Sequence, residues 1–212
     1  MADGLILDAV DIRHRDGRGL VSLNTGIAPG TIVSVMGPSG VGKSTILAAI
    51  TGTLPPEFRF SGQISLNGRV LNSLAPERRR VGILFQDHLL FPHLSVGQNV
   101  GFGLPRGTDH RRGRVADALA EIGLEGFAAR DPATLSGGQR ARVALMRTLL
   151  AEPEALLLDE PFSRLDAELR GKMRELVFDR ARGRQLPVLL VTHDVADAEA
   201  AGGKIIRLAP TS

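Results

Sequence analysis

A chain of 212 residues that is 43% apolar is long enough for one substantial core and too apolar to be disordered. It has no cysteine, which excludes a disulfide framework and a thiolate metal site and points to a reducing compartment. The net charge of +3 is almost all arginine, and no aromatic residues are interleaved with the basic clusters Arg78-Arg79-Arg80 and Arg111-Arg112, so nucleic-acid binding is not expected. Met1-Ala2-Asp3-Gly4 lacks the basic and apolar regions of a signal peptide. No apolar run approaches the ~18 residues of a membrane span, so any channel must come from other chains.

In chain order, apolar stretches at 5–10 and 21–27 precede the alternating pattern Gln63-Ile64-Ser65-Leu66-Asn67-Gly68, whose Asn-Gly pair signals a hairpin. These three predict a small antiparallel lobe. Four short apolar runs at 32–36, 81–85, 155–158 and 188–191 predict buried parallel strands. They end at Gly37, Gln86, Asp159 and Thr192-His193 respectively, and parallel topology collects such residues along one sheet edge. The segment 91–134 is turn-rich, with a helical pattern at 115–122. A helix is expected at 139–150, with Val143, Met146 and Leu150 on one face. Asp166 is placed to cap the next helix, which carries Leu169, Met173, Leu176 and Val177 and ends near Gly183.

Two motifs carry chemistry. Gly37-Pro38-Ser39-Gly40-Val41-Gly42-Lys43-Ser44-Thr45 lies between a strand and a helical run at 46–50, the setting of a phosphate loop. Its glycines let the backbone amides turn inward, Lys43 reaches the β- and γ-phosphates, and the Ser44 hydroxyl is a Mg²⁺ ligand. Leu135-Ser136-Gly137-Gly138-Gln139 opens a helix with a hydroxyl and two exposed amides, a second anion site that would be redundant within one subunit.

In this order the two motifs resemble the ATP-binding cassette (ABC) ATPases, over nearly the whole chain. The resemblance implies an α/β P-loop NTPase with a mostly parallel core sheet, a small antiparallel β lobe and a helical subdomain. The chain is then one nucleotide-binding domain over 1–212, its helical subdomain inserted at approximately 91–134. It implies ATP hydrolysis with Mg²⁺ held by Ser44, Gln86 and Asp159, with Glu160 as the catalytic glutamate and Gln86 as the glutamine that senses a transmembrane partner. His193 becomes the switch histidine. Leu135 to Gln139 complete the ATP site of a second subunit in an ATP-bound homodimer, and Ser163-Arg164-Leu165-Asp166 occupy the D-loop, where Arg164 replaces the usual alanine. The family stacks adenine on an N-terminal aromatic ring. With no Tyr or Trp present, His14 is either that ring or a surface loop residue. The other histidines, His88, His93 and His110, have no metal-ligand spacing, and zinc is not expected.

The wording from Phe85-Gln86-Asp87-His88 through Phe91-Pro92-His93-Leu94-Ser95-Val96 to Asn99-Val100 is similar to cassette subunits of binding-protein-dependent importers for thiamine, polyamines, ferric iron, sulfate or sugars. That implies a peripheral protein at the cytoplasmic face of the plasma (inner) membrane, transmembrane permease subunits contacting the Gln86 region, and indirectly a substrate-binding protein. Phe91 and Leu94 either form the groove for a coupling helix or pack internally. The chain stops soon after Leu208, so an added C-terminal regulatory domain is expected to be absent. The alternative is a single-domain cassette of a lipoprotein-release or cell-division type exporter.

Overall fold

The computed structural model describes residues 3–87, 89–163 and 165–209, so His88 and Arg164 lie outside the described residues. The backbone divides into two compact units, 1–83 with 154–160 and 174–212, and 84–153 with 161–173.

The first unit holds two sheets. Strands β1 (Leu5–His14), β2 (Gly19–Ile27), β4 (Phe58–Leu66) and β5 (Arg69–Val70) form an antiparallel sheet in the order β2-β1-β4-β5. Strand β1 runs four residues beyond the expected 5–10, through a bulge at Ala9 (φ 46°) that shifts the register between Leu7 and Val10. Asn67 (φ 51°) and Gly68 (φ 78°) both take positive φ in the β4–β5 turn, the geometry that an Asn-Gly pair favours.

Strands β3 (Ile32–Met36), β6 (Val81–Leu84), β7 (Ala155–Asp159), β8 (Val188–Val191) and β9 (Lys204–Arg207) form the second sheet, in the order β6-β7-β8-β3-β9. The pairs β7–β8, β8–β3 and β3–β9 are parallel. Strand β6 stops one residue short of the expected end, leaving Phe85 53% exposed. Strand β9 was not foreseen, because only Ile205 and Ile206 lie between its charged ends.

Helix α1 (Lys43–Thr51) buries Ile46, Leu47, Ala49 and Ile50 in a core shared with Leu5, Leu7, Val10 and Ile12 of the antiparallel sheet and Val33, Val35, Leu157 and Leu189 of the parallel one. Its C-terminus is closed by Arg79, only 6% exposed, whose guanidinium donates to the carbonyls of Ala49, Ile50, Leu74 and Asn72. Carbonyls without intrahelical partners at a helix end carry partial negative charge, which offsets part of the cost of burying this cation.

The second unit holds helices α2 (Val96–Phe102), α3 (Arg111–Glu121) and α4 (Gly137–Leu150) around a core of Val96, Val100, Leu119, Val143, Met146 and Leu149. Helix α3 begins four residues before the pattern at 115–122, and α4 two residues before the expected 139. The boundary between the units falls within helix α5 (Ala167–Gly183), which Asp166 caps by accepting from the Leu169 amide at 2.9 Å.

Candidate active site

The phosphate loop joins β3 to α1 at the carboxyl edge of the parallel sheet. Gly42 caps α1 in a left-handed conformation (φ 96°), and a Cβ there would lie 2.7 Å from Val21 Cγ1, so both backbone and space require glycine. That contact places β2 against the loop. Ile12 pairs with Val21, so His14 stands at the end of the antiparallel sheet that borders the loop. His14 is half-buried, its ring 5.0 Å from that of Phe58 and tilted 50° to it. It is therefore packed against a second ring.

Lys43 is buried, with Nζ donating to Gly37 O at 2.7 Å and Pro38 O at 2.8 Å, so its ammonium lies over the loop that it serves. Ser44 Oγ donates to Asp159 Oδ2 at 3.0 Å across 115 residues of sequence. Burial raises the Asp159 carboxyl above its ordinary value; Glu160 adds to the rise, while the Ser44 hydrogen bond and Lys43 oppose it. A hydroxyl and a carboxylate in contact, in a setting that disfavours negative charge, fit a hard divalent cation that keeps waters and substrate oxygens as its other ligands.

Glu160 follows Asp159 in the left-handed region (φ 47°), strain that costs a non-glycine residue about 1–2 kcal/mol. The bond from its amide to Val191 O (2.9 Å) fixes this turn onto β8. Its carboxylate Oε2 accepts from His193 Nδ1 at 3.0 Å; with the carboxylate ionised, the imidazole must supply that proton. The structure thus gathers Lys43, Ser44, Asp159, Glu160 and His193 in one unit.

Gln86 is exposed just after β6 and belongs to the second unit. There, Ser136 is the N-cap of α4: its hydroxyl accepts from Gln139 N at 3.2 Å, and Gln139 Oε1 accepts from Ser136 N at 2.9 Å. This capping box was not read from the sequence, although Ser-x-x-Gln ahead of an apolar run is its signature. Leu135 is a buried anchor whose carbonyl accepts from Arg140. A Cβ on Gly137 would meet nothing within 4 Å, and one on Gly138 would make ordinary contact with Leu165 and Leu169. Packing within the chain therefore does not explain the glycine pair. In the D-loop, Ser163 is half-buried and Asp166 exposed.

The second unit also contains polar residues that the sequence reading missed. Asn99 is fully buried; its side chain accepts from Phe91 N and donates to the carbonyls of Phe91, Leu94 and Ser95. Arg147 donates to Leu89 O at 2.7 Å and lies 4.8 Å over the Phe91 ring. Phe91 also packs 4.6 Å from Phe102, whereas Leu94 lines a mostly apolar groove of about 840 Å³ with Gly101, Phe102 and Val115. A lone amide on the apolar face of a short helix was the available signal for Asn99.

Residues 20–163 match the family model described as ABC transporter. The chain belongs to that family. It is 50% identical over 198 residues to the protein named Uncharacterized ABC transporter ATP-binding protein YnjD of Escherichia coli (strain K12), covering 92% of this chain and 91% of that one. It is 45% identical to the Thiamine import ATP-binding protein ThiQ of Vibrio vulnificus (strain YJ016), covering 88% of this chain and 79% of that one. A solved dimeric post-hydrolysis state of the ATP-binding cassette MJ0796, bound to ADP and Pi, superposes with a TM-score of 0.82 at 32% identity, covering 96% of this chain and 94% of that one. The protein is an ATP-binding ABC ATPase with a P-loop NTPase fold. Among the described residues, no helix is long and apolar enough to cross a membrane.

Proposed function

We propose that this ABC ATPase powers import of a small solute through partner permease subunits, as a peripheral subunit on the cytoplasmic face of the membrane. The import reading is supported by relatives named for import, including a Spermidine/putrescine import ATP-binding protein PotA of Oleidesulfovibrio alaskensis, 42% identical over 194 residues but only 51% covered. Those names favour import over the lipoprotein-release or cell-division exporter.

The site reading is carried by one observation, the Glu160–His193 contact in the same unit as the Ser44–Asp159 contact. Residues 37–45 hold the triphosphate through inward amides, and Lys43 exchanges its two carbonyl partners for β- and γ-phosphate oxygens. Ser44 and Asp159 would hold Mg²⁺, which would supply charge neutralisation at the phosphates; Gln86 is the further ligand that the family resemblance implies. Glu160 orients the attacking water and takes up its proton, and His193 holds Glu160 in place while its second nitrogen addresses the γ-phosphate. His14 serves as the ring against adenine.

The free edge of α4 belongs to a second copy's site in this reading. Leu135 anchors the turn, Gln139 closes it through the capping box, Ser136 and the amides of Gly137 and Gly138 face the partner's γ-phosphate, and Ser163 and Asp166 lie along the shared interface. The unoccupied space beside Gly137 supports that role, since it leaves room for close approach. The groove beside Leu94 and Phe102 receives a helix of the permease. The whole chain then acts as one nucleotide-binding domain, with a helical subdomain at about 91–134 as proposed from sequence.

Reconstitution with the co-purifying membrane protein in vesicles of known orientation tests the direction. ATP supplied on the cassette side should drive solute away from the opposite face and toward the cassette side. Movement the other way favours the exporter.

A further inference from the structure

Behind His193 lies a buried charged chain to which neither the sequence nor the proposed mechanism has given work. Arg174 of α5 donates through Nε to Asp197 Oδ1 at 2.6 Å, and Nη2 contacts the same oxygen. The two side chains are only 17% and 3% exposed. Asp197 Oδ2 accepts from the Thr192 hydroxyl at 3.2 Å, and Thr192 itself is 1% exposed. The Thr192 oxygen in turn accepts from the Asp194 amide at 3.0 Å, so it bonds across His193 in the turn between β8 and helix α6 (Val195–Ala201).

The proton inventory makes this chain directional. A threonine hydroxyl has one proton. Given to Asp197, that proton leaves the oxygen lone pairs facing the amide after His193. On the other flank, Thr192 N donates to Val35 O at 3.2 Å, which ties the preceding backbone to the strand that enters the phosphate loop. His193 is thus held on both sides while its ring stays exposed and reaches Glu160.

A buried ion pair is a poor route to stability, because desolvation cancels much of its attraction, but it fixes geometry where its remaining lone pairs are used. Here one carboxylate oxygen is spent on the arginine and the other on the turn. We infer that Arg174, Asp197 and Thr192 are positioning residues for hydrolysis: they set the His193 turn, and through His193 the Glu160 carboxylate.

The inference rests on the proposed role of His193, and the test separates the two. Thr192→Val keeps shape and removes the hydroxyl while leaving the Arg174–Asp197 ion pair in place. In the purified full chain it is expected to lower kcat about tenfold while KM and ATP affinity change less than about twofold. A global packing defect would shift all three together. In a His193→Ala background, Thr192→Val should lower the residual single-turnover rate no further. Asp197→Glu should recover more activity than Asp197→Asn.

Parent-like turnover in Thr192→Val, a parallel loss of ATP binding, or an undiminished effect in the His193→Ala background overturns the positioning role. Full turnover by His193→Ala alone overturns the reading of His193, and this inference with it. Amide exchange adds a measure independent of turnover: Asp194 N–H should exchange about tenfold faster in Asp197→Asn. Unchanged protection at that amide overturns the chain as drawn.

Discussion

In the first unit the candidate reactive side chains each have a defined partner: Lys43 the carbonyls of its own loop, Ser44 the Asp159 carboxylate, and His193 the Glu160 carboxylate. At the Ser136 turn of the second unit the side chains close the turn itself, through a capping box and the Arg140 bond to Leu135 O, and what is left to offer is amides at a helix end beside Gly137, whose surroundings are open. In the proposed reading one region performs the reaction and the other is approached by a second copy. On that reading a single chain carries two anion-binding features without redundancy, since only one of them comes with a base, a pair of cation ligands and a lysine.

Substitutions on each side should separate these roles. Glu160→Gln is expected to have the largest effect, a ~10²- to 10⁴-fold loss of hydrolysis with ATP binding kept, measured by phosphate release and equilibrium binding. Wild-type-like turnover in that variant removes Glu160 from the mechanism. Lys43→Ala should weaken ATP binding by about tenfold or more in calorimetry, the loss of charge-assisted bonds to phosphate. Affinity equal to the parent's would break the phosphate-loop side of the contrast.

Ser136→Arg acts on the other region. It should leave monomer affinity for ATP intact and abolish pairing, read by sedimentation in the Glu160→Gln background with ATP. Persistent dimers there would mean that the α4 terminus is not an approach surface.

Asp159→Asn offers a finer test, on stability. Because burial raises this carboxyl, the folded state binds its proton more tightly than the unfolded chain does, and ionisation costs stability at neutral pH. The asparagine variant should therefore melt about one or two degrees higher at pH 7 without nucleotide, while losing Mg²⁺-dependent turnover. The melting advantage should shrink as pH falls through the raised value toward that of an ordinary carboxylate; an advantage that grows on acidification contradicts the sign. The smallest effect belongs to Ser34, whose buried hydroxyl has no partner among the described residues. Ser34→Ala should be neutral or stabilising by up to about 1 kcal/mol in denaturant melts. The paired hydroxyl of Thr192 is its counterpart.

Much of the candidate site was legible because four strands of the parallel sheet are short, largely apolar runs that lead into a candidate functional residue, as in Leu156-Leu157-Leu158-Asp159-Glu160. Topology then brings those ends together without further information. Other features escaped because their residue types have a commoner local meaning. Acids in the first turn of a helix usually face solvent beside its N-terminus; Asp194 does cap α6, but Asp197 turns inward to Arg174. Helix α2 was missed because glycines and an asparagine weaken its helical signal, so that only its Ser95–Gln98 capping box marks it. Arg79 looked like one member of a solvated basic run and is instead almost fully enclosed.

That enclosure bears on how nucleotide energy is spent. With four carbonyls gripping one guanidinium at the rear of α1, the helix is already moored before any phosphate reaches its front. Little ordering of α1 then remains to be done when the triphosphate arrives, so in the proposed dimer more of the binding free energy is left over for drawing a second molecule onto the same nucleotide.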